Sequence, residues 1–344
     1  MNKNVIIAIA VTTICVVIVA FGFNQHINET KLVDEEKMKN KTESTSVNSS
    51  SPKPVMQEER TTGTSKGTYA IAFVKNTFTR AAYNHAFYDF YTKYRYAPEN
   101  TQIYSDLNLL TAIPPDPPKQ NTPFFRELKD RTIKLLPNSV VVTINDEDIH
   151  NGNIFYKSGN NVFDILIIGH DEYVTQEMYD NYRKFVTQGG VLIALDGNIF
   201  YGEVSYNPDY YSVTLVKGHG WEYNGAYAKK SVDERWYNET SSWIGSNYYD
   251  AYRWKYENGT YMYQYQNDPF NYGPVRWEDQ FVTNQDDQPI LDYQLDDPTH
   301  KVITYWKSYV QGKVIVLGIA SEKVADNPSF QEFYDKLILE HAVK

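Results

Sequence analysis

Residues 163–204 read FDILIIGHDEYVTQEMYDNYRKFVTQGGVLIALDGNIFYGEV. Two short apolar runs, Ile165–Gly169 and Val191–Leu195, flank a longer amphipathic segment in this stretch. Neither run alternates with polar residues, which is typical of parallel strands that are buried on both faces. Parallel strands need a crossover connection, and the segment between the two runs is long enough to supply a helix. The stretch therefore predicts a strand–helix–strand unit within a parallel α/β sheet.

The connecting segment has the periodicity of a helix with one buried face. The residues of this face recur at helical spacing and are Met178, Tyr182, Phe185, Val186 and Gly189. Thr175 is placed to cap the first turn, and Glu177 suits the positive end of the helix dipole. We therefore expect a helix that begins just after Thr175.

A polar cluster follows each of the two predicted strands. His170–Tyr173 comes after the first strand, and Asp196–Asn198 comes after the second. Ligands in open α/β sheets bind outside the carboxyl ends of the strands. We therefore expect both clusters to line one edge. An ordinary structural reading stays open beside this one, in which His170 and Asp171 hydrogen-bond the strand-to-helix turn and Asp196–Asn198 forms a turn.

Other segments predict further elements of the same α/β domain. They are a strand at Thr68–Val74, a helix within Asn76–Tyr94, a helix at Phe124–Leu136, a strand at Ser139–Ile144, closing strands at Lys301–Trp306 and Lys313–Gly318, and a terminal helix at Asn327–His341. The motif NDEDIH places Asp146, Asp148 and His150 near another strand end. Between about 205 and 299, short aromatic runs alternate with turn signals, which predicts an insertion of β-hairpins.

The amino terminus predicts a membrane anchor. Val5–Phe23 is an almost unbroken apolar run that is long enough to cross a bilayer as a helix. A cleaved signal peptide is the alternative, with Ala20 and Gly22 as small residues near the cleavage site. In both readings Lys3 stays inside and the chain after Asn24 is exported. We expect a single-pass protein of the cell membrane whose C-terminal domain is extracytoplasmic.

Residues 24–66 predict a disordered polar tether between the anchor at 1–23 and the α/β domain at 67–344. Their apolar residues are too few to offset the entropy of ordering the segment. The chain also contains five N-x-S/T sequons, which are glycosylation acceptors if the source glycosylates exported proteins; they lie at Asn28, Asn40, Asn48, Asn238 and Asn258.

Composition excludes several classes of function. The formal net charge of −10 argues against nucleic acid as a partner, because nucleic-acid binding requires a basic surface. The single cysteine, Cys15, lies in the apolar run, so neither an internal disulfide nor a thiol nucleophile in the exported domain is available. No G-x-S-x-G elbow occurs, which argues against a serine hydrolase.

Several motifs in order along the chain resemble those of a known family. They are FTRAAYN (Phe78–Asn84), DEDIH (Asp146–His150), GHDEY (Gly169–Tyr173), GGVLIALDGN (Gly189–Asn198) and GKVIVLGIASEKVADNPSF (Gly312–Phe330). The set resembles the C-terminal domain of the N,N-dimethylformamidase large (beta) subunit. The core of that family is similar to the class I glutamine amidotransferase fold, which is flavodoxin-like.

The resemblance implies an iron centre that is held by two tyrosines and one glutamate and acts in amide hydrolysis. Tyr173 in GHDEY and Tyr83 in FTRAAYN match the family's motifs, and Glu278 in VRWEDQ is the candidate carboxylate. Such oxygen ligands suit a hard metal ion. The candidate catalytic groups are His170, Asp171, Glu172 and Asn198, with His170 or Glu172 as the proton carrier.

Two functions from different classes are consistent with the sequence. The first is a metal-dependent hydrolase that acts on a C–N bond of a small amide-like substrate. The second is a non-catalytic surface module that binds an envelope glycan or protein through the Tyr- and Trp-rich insertion, since such side chains provide rigid contact area.

Overall fold

The structure is a computed structural model, and it describes residues 67–83, 86–94, 104–113, 123–218, 221–222, 235–250, 270, 278–282, 288–289 and 304–343. All of these residues belong to one compact unit, Glu59–Lys344. The predicted anchor and tether lie outside the described residues. Among the residues described, no helix has the length and apolar character needed to cross a membrane.

The described chain alternates strands and helices. The strands are β1 (Ala70–Lys75), β2 (Thr111–Ala112), β3 (Val140–Asn145), β4 (Ile165–Ile168), β5 (Tyr173–Val174), β6 (Val191–Ala194), β7 (Gly202–Asn207), β8 (Ser212–Gly218), β9 (Trp221–Glu222), β10 (Ser246–Asp250), β11 (Glu278–Val282), β12 (Gln288–Pro289), β13 (Thr304–Tyr309) and β14 (Gly312–Leu317). The helices are α1 (Thr77–Tyr83), α2 (Ala86–Tyr94), α3 (Pro123–Leu135), α4 (Asp146–His150), α5 (Gln176–Thr187), α6 (Tyr237–Trp243) and α7 (Pro328–Lys336). Short 3-10 helices occur at Tyr104–Leu110 and Ser321–Val324, and a π-helical turn follows α7 at Leu337–Ala342.

A seven-stranded sheet forms the centre of the domain. Its strand order is β12-β13-β14-β6-β4-β1-β3. The five strands from β14 to β3 are parallel, whereas β13 and β12 continue the sheet in antiparallel pairs. The protein is therefore a mixed α/β protein with a largely parallel sheet.

Hydrophobic clusters cover both faces of this sheet. One cluster includes Leu166 and Leu192 from the sheet together with the buried face of α5, and the other includes Ile167 and Ile193 together with α3 and α7. Successive strand residues point to opposite faces, so the continuous apolar runs of β4 and β6 fill both clusters. This double burial is why neither strand alternates with polar residues.

A second sheet joins the short strand β5 to β7 and β8, which lie at the start of the insertion. Its order is β2-β8-β7-β5, and β9 also pairs with β8. Tyr173 of β5 lies opposite Gly202 of β7 in a parallel pair. The short strand β5 therefore fixes Tyr173 against the strand that follows the second polar cluster.

Most predicted elements are confirmed. The central unit is present as β4, α5 and β6, with β4 and β6 paired in parallel register. Thr175 caps α5, because its side chain accepts a hydrogen bond from the backbone N–H of Met178. The other predicted strands and the terminal helix appear within a few residues of their expected ends.

Three segments show features that the sequence prediction did not include, although DEDIH does follow the end of β3 as expected. The DEDIH motif forms the helix α4, which begins with a capping box between Asn145 and Asp148. Within Asn76–Tyr94 the described residues form two helices, α1 and α2, and Asn84 and His85 between them lie outside the described residues. The insertion contains the helix α6 among its strands, because Trp243 of this helix packs against Tyr179 and thereby gains burial that local propensity does not reveal.

Candidate functional site

The two polar clusters lie side by side because their strands are neighbours. Ile168 at the end of β4 is paired with Ala194 at the end of β6. Beyond these ends, the N–H of Phe200 donates to the carbonyl oxygen of Asp171, and the N–H groups of Tyr201 and Gly202 donate to that of Glu172, each at 2.9 Å. The segment after β6 is thus attached to the GHDEY segment along its backbone.

The carboxylate of Glu172 is the centre of the candidate site. Its side chain is fully buried. Its Oε2 accepts hydrogen bonds from the hydroxyl of Tyr83, from Nδ2 of Asn198 at 3.3 Å and from Nε2 of His170 at 3.2 Å. Four predicted site residues, from three separate segments, are therefore in direct contact.

Two further tyrosines complete the cluster. The Tyr88 hydroxyl donates to Oε1 of Glu172 at 3.4 Å, and the Tyr173 hydroxyl lies 3.5 Å from that of Tyr88. The Tyr83 and Tyr88 rings are in contact, with 4.7 Å between their centroids. The Tyr173 ring is fully buried, but its hydroxyl points toward the other phenols rather than into an apolar core.

His170 lies between two carboxylates. Its Nε2 contacts Glu172, and its Nδ1 is 3.6 Å from Oδ1 of Asp196. Burial lowers the pKa of His170, but the Asp196 carboxylate and then Glu172 outweigh this effect, so the net pKa lies well above the ordinary value. The imidazole is therefore charged at neutral pH and can donate a proton. About a third of its side chain reaches solvent, which gives a substrate access to it.

The Tyr83 and Tyr173 phenols are neutral. Burial and then the negative charge of Glu172 raise the pKa of Tyr83 and of Tyr173 well above the ordinary value. Tyr83 is 42% exposed overall, but its hydroxyl lies inward against the buried carboxylate. A metal cation would reverse this shift, because it favours the phenolate form.

The donor set fits a hard metal ion such as the iron that the family resemblance implies. A buried carboxylate and three phenol oxygens lie together, and such oxygen donors are suited to hard cations. In the described part of the chain, no group of three His, Cys, Asp or Glu side chains could hold a metal. Tyrosine oxygens are therefore needed for a metal site here, and the carboxylate that they surround is Glu172.

Two predicted site residues are not placed in this cluster. Asp171 directs its carboxylate to α5, where the Tyr182 hydroxyl donates to it at 2.8 Å. Glu278 begins β11, which pairs with β10 in a separate two-stranded sheet, and the position of its side chain lies outside the described residues. The structure consequently supplies no contact between either residue and Tyr83 or Tyr173.

Sequence reasoning missed Tyr88. A single helix over Asn76–Tyr94 would place Tyr83 and Tyr88, five residues apart, about 140° apart around its axis. They would then point in different directions. In the structure both hydroxyls reach Glu172, Tyr83 from α1 and Tyr88 from α2. The periodicity of a single helix could not predict that these two tyrosines meet the same carboxylate.

The segment after Asn198 carries backbone strain. Phe200 has φ of +55° and is fully buried. A bulky residue in the left-handed region is uncommon, and such strain concentrates at functional sites. The ring is held by contacts with Tyr182 and Trp243. The surrounding packing thus imposes the conformation that follows the second polar cluster.

Solved structures show only weak likeness to the chain. A cold-adapted beta-galactosidase from Rahnella sp. R3 has 11% identity and a TM-score of 0.38, covering 80% of this chain and 31% of its own. A beta-galactosidase from Bacillus circulans sp. alkalophilus has 12% identity and a TM-score of 0.35, with coverage of 80% and 31%. A thua-like protein from Bacteroides uniformis ATCC 8492 has 9% identity and a TM-score of 0.33, with coverage of 81% and 94%. The chain spans about a third of the length of the galactosidases that it matches. Similarity at these TM-scores is too weak to support a functional conclusion.

Comparison of the sequence with protein families identifies the family of the chain. No curated protein matches the chain. A family model described as "N,N-dimethylformamidase beta subunit-like, C-terminal" matches residues 38–290, which is most of the chain and includes Tyr83 and the whole Glu172 cluster. The chain therefore belongs to the N,N-dimethylformamidase beta subunit-like, C-terminal family.

Proposed function

We propose that this protein is a membrane-tethered, extracytoplasmic hydrolase that uses iron to break the C–N bond of a small amide, on a core of glutamine amidotransferase-like (flavodoxin-like) fold. The observation that carries the proposal is the convergence of Tyr83, Tyr88 and His170 on the buried carboxylate of Glu172. The family membership supports the same chemistry. The tether and anchor are proposed from the composition of residues 5–66.

Tyr83 and Glu172 are the proposed metal ligands, with Tyr88 or Tyr173 as the second phenol. Bound iron would polarise the amide carbonyl and make a bound water more acidic. The carboxylate donor is assigned to Glu172 rather than Glu278, because Glu172 is the carboxylate in contact with Tyr83.

His170 is the proposed proton donor. As the amide C–N bond breaks, the leaving amine nitrogen must gain a proton, and Nε2 of the charged imidazole can supply it. Asp196 holds the opposite nitrogen, Nδ1, and so keeps the ring oriented. Asn198 anchors Glu172, and its role is to hold the carboxylate rather than to move a proton. Asp171 supports the edge through Tyr182.

The test uses the full-length protein purified in detergent. We expect stoichiometric iron, a visible tyrosinate-to-iron absorption band, and release of dimethylamine from N,N-dimethylformamide as the probe amide. Tyr83→Phe and Glu172→Gln should lose the band and the iron. Tyr210→Phe is the matched control, because Tyr210 is 77% exposed on the β7–β8 turn and should change neither readout. A colourless, iron-free protein that hydrolyses no amide would refute the proposal.

A binding module is the second candidate. The exposed Tyr210 in the insertion is the observation that favours it, because exposed aromatic side chains are suited to contact a glycan or protein. If the protein lacks iron, retains its melting temperature in chelator and binds envelope glycans through a surface that Tyr210→Ala weakens, this candidate replaces the hydrolase.

A further inference from the structure

Helix α1 lies against the GHDEY segment and meets its backbone with polar side chains. Asn76, directly before the helix, donates from Nδ2 to the carbonyl oxygen of His170. Further along the helix, the Thr79 hydroxyl accepts from the N–H of Tyr173 at 2.9 Å and donates to the carbonyl oxygen of the same residue at 3.4 Å. The helix thus binds the backbone on both sides of Glu172, the centre of the candidate site.

Thr79 takes the place of a neighbouring strand. On one side of β5, the N–H groups of Tyr201 and Gly202 donate to the carbonyl oxygen of Glu172. Backbone groups of successive residues in a strand point to alternate sides, so those of Tyr173 point away from β7 and toward α1. The Thr79 hydroxyl meets both of them. Both residues are buried, where a hydrogen bond is stronger than it is at the surface.

The same face of α1 carries the phenol that meets the carboxylate. Thr79 and Tyr83 are four residues apart, so their side chains lie on one face of the helix. Thr79 binds the backbone of Tyr173, and the Tyr83 hydroxyl donates to the side chain of the preceding residue, Glu172. Any shift of α1 along the GHDEY segment would separate the hydroxyl from the carboxylate. The two backbone contacts of the helix oppose such a shift.

The start of α1 is attached elsewhere, to α4. Oδ2 of Asp146 accepts from the N–H of Phe78 at 2.7 Å and from the Thr77 hydroxyl at 3.2 Å. Thr77 is buried like Thr79 and makes the same kind of hydroxyl bond, but its partner is α4. A change at Thr77 therefore weakens the attachment of the helix without removing its contacts with the GHDEY segment.

We propose that Thr79 and Asn76 are positioning residues, which hold α1 against the GHDEY segment so that the Tyr83 hydroxyl and the Glu172 carboxylate meet as a preassembled pair. The role of this pair as metal ligands rests on the function proposed above, whereas its assembly does not require iron. A group that orients a metal ligand strengthens binding without touching the metal, and loss of such a group typically lowers metal affinity by about 10–100-fold.

The experiment measures the energetic coupling between Tyr83 and Glu172 in the full-length protein after iron has been removed by a chelator. Denaturant unfolding of the parent, Tyr83→Phe, Glu172→Gln and the double variant completes a double-mutant cycle, whose coupling reports the hydrogen bond between the two side chains. The cycle is then repeated in a Thr79→Val background. Valine has the shape of threonine without its hydroxyl, so we expect the coupling to be lost there and to be restored by Thr79→Ser.

Thr77→Val is the matched control, because it makes the same chemical change on the same helix. It should destabilise the protein through loss of the hydrogen bond to Asp146. The coupling between Tyr83 and Glu172 should nevertheless stay at its parent value. A residue that only stabilises the helix would lower the free energy of unfolding in the same way without changing this coupling.

Asn76→Asp replaces Thr79→Val if the valine variant does not fold. Aspartate keeps an acceptor for Nε of Arg80 but lacks the donor to the carbonyl oxygen of His170, so the coupling should again be lost. A coupling that persists in the folded variant, that is lost equally in Thr77→Val, or that is absent from the parent protein would overturn the proposal.

Iron affinity is a second readout, and it separates this proposal from the hydrolase. In a parent protein that binds iron, Thr79→Val should raise the dissociation constant for iron by about 10-fold or more, and Thr79→Ser should stay close to the parent. Equal iron affinity in the valine variant and the parent would contradict the positioning role. A parent protein without iron would refute the hydrolase, whereas the mutant cycles would still decide the roles of Thr79 and Asn76.

Discussion

Tyr173 is fixed in the site by the close packing of its ring. Phe87 meets one side with 5.5 Å between ring centroids, and the Cα of Gly202 lies against the ring. A Cβ on Gly202 would lie 2.6 Å from Cδ1 and Cε1 of Tyr173, which is too short for any real contact. The glycine is therefore required by a close approach, and the position of the Tyr173 hydroxyl depends on it.

We expect Gly202→Ala to destabilise the protein by about 1–3 kcal/mol, because the tyrosine ring must move in a tightly packed region. The measurement is denaturant unfolding of the single variant and of the same change in a Tyr173→Leu background. The smaller leucine should relieve the overlap, so the cost of Gly202→Ala should fall in that background. An equal cost in both backgrounds would show that the overlap with Tyr173 is not its cause.

Val310 occupies an unfavourable backbone conformation at the tip of the β13–β14 hairpin. It has φ of +53°, although it is β-branched and 70% exposed. Its turn joins the paired residues Tyr309 and Gly312, and glycine is preferred where a hairpin turn needs positive φ. Val310→Gly should therefore stabilise the protein by up to about 1 kcal/mol, as the relief of strain exceeds the added entropy of the unfolded chain.

The control for this prediction is Gln311→Gly in the same turn. Gln311 does not have positive φ, so the change should lower the free energy of unfolding by about 0.5–1 kcal/mol. Chemical denaturation of both variants measures the two changes in the free energy of unfolding. If Val310→Gly also destabilises the protein, the hairpin tolerates the valine without strain.

At the scale of secondary-structure elements, the start of α5 contacts the end of α4. Thr175 caps this helix and also contacts His150 at the end of α4. The helix itself contributes Tyr182, which holds Asp171 behind the candidate site. Helix α5 thus contacts α4 through its capping residue and supports Asp171 through Tyr182.

Thr175→Ala should lower the free energy of unfolding by about 1 kcal/mol, because the N–H of Met178 loses its buried acceptor. Thr175→Ser keeps the hydroxyl and should cost much less. Thermal unfolding of the two variants measures the difference. Identical melting temperatures for the alanine and serine variants would contradict a capping role for this side chain.

At the scale of the whole molecule, two buried carboxyl groups make stability depend on pH. Asp146 follows β3 and Asp171 follows β4, at the same edge of the main sheet. Burial and then the negative charge of Asp171 raise the pKa of Asp146 well above 3.8. The folded protein therefore binds more protons than the unfolded chain over a range of pH above 3.8.

The free energy of unfolding should consequently fall as pH rises above this value. The stabilisation from Asp146 is fully present below pH 3.8. It is lost progressively as pH rises from 3.8 to the folded-state pKa, and the free energy of unfolding falls by about 1.4 kcal/mol per pH unit in this range. Asp146→Asn cannot ionise but still accepts from the N–H of Phe78, so its stability should change less with pH. Denaturant unfolding across this range tests the prediction, which fails if the two stability curves run parallel.

The sequence alone determined the elements whose signals are local. The β4–α5–β6 unit follows from two apolar runs around an amphipathic segment, and the Thr175 cap follows from residue type and position. The adjacency of GHDEY and DGN also follows, because neighbouring parallel strands bring their carboxyl ends to one edge. Periodicity and capping depend on residues within one or two turns, so a single sequence carries them.

Only the tertiary structure decided which side chains meet at that edge. Tyr88 of α2 lies beside Tyr83 of α1, and the turn after β4 directs Glu172 toward both while it sends Asp171 to α5. These outcomes depend on side-chain direction, which changes by a large angle with each residue along a helix or turn. Long-range packing sets that direction, and for this reason the sequence located the edge and named Glu172 among its candidate residues, but did not show that this carboxylate lies at the centre.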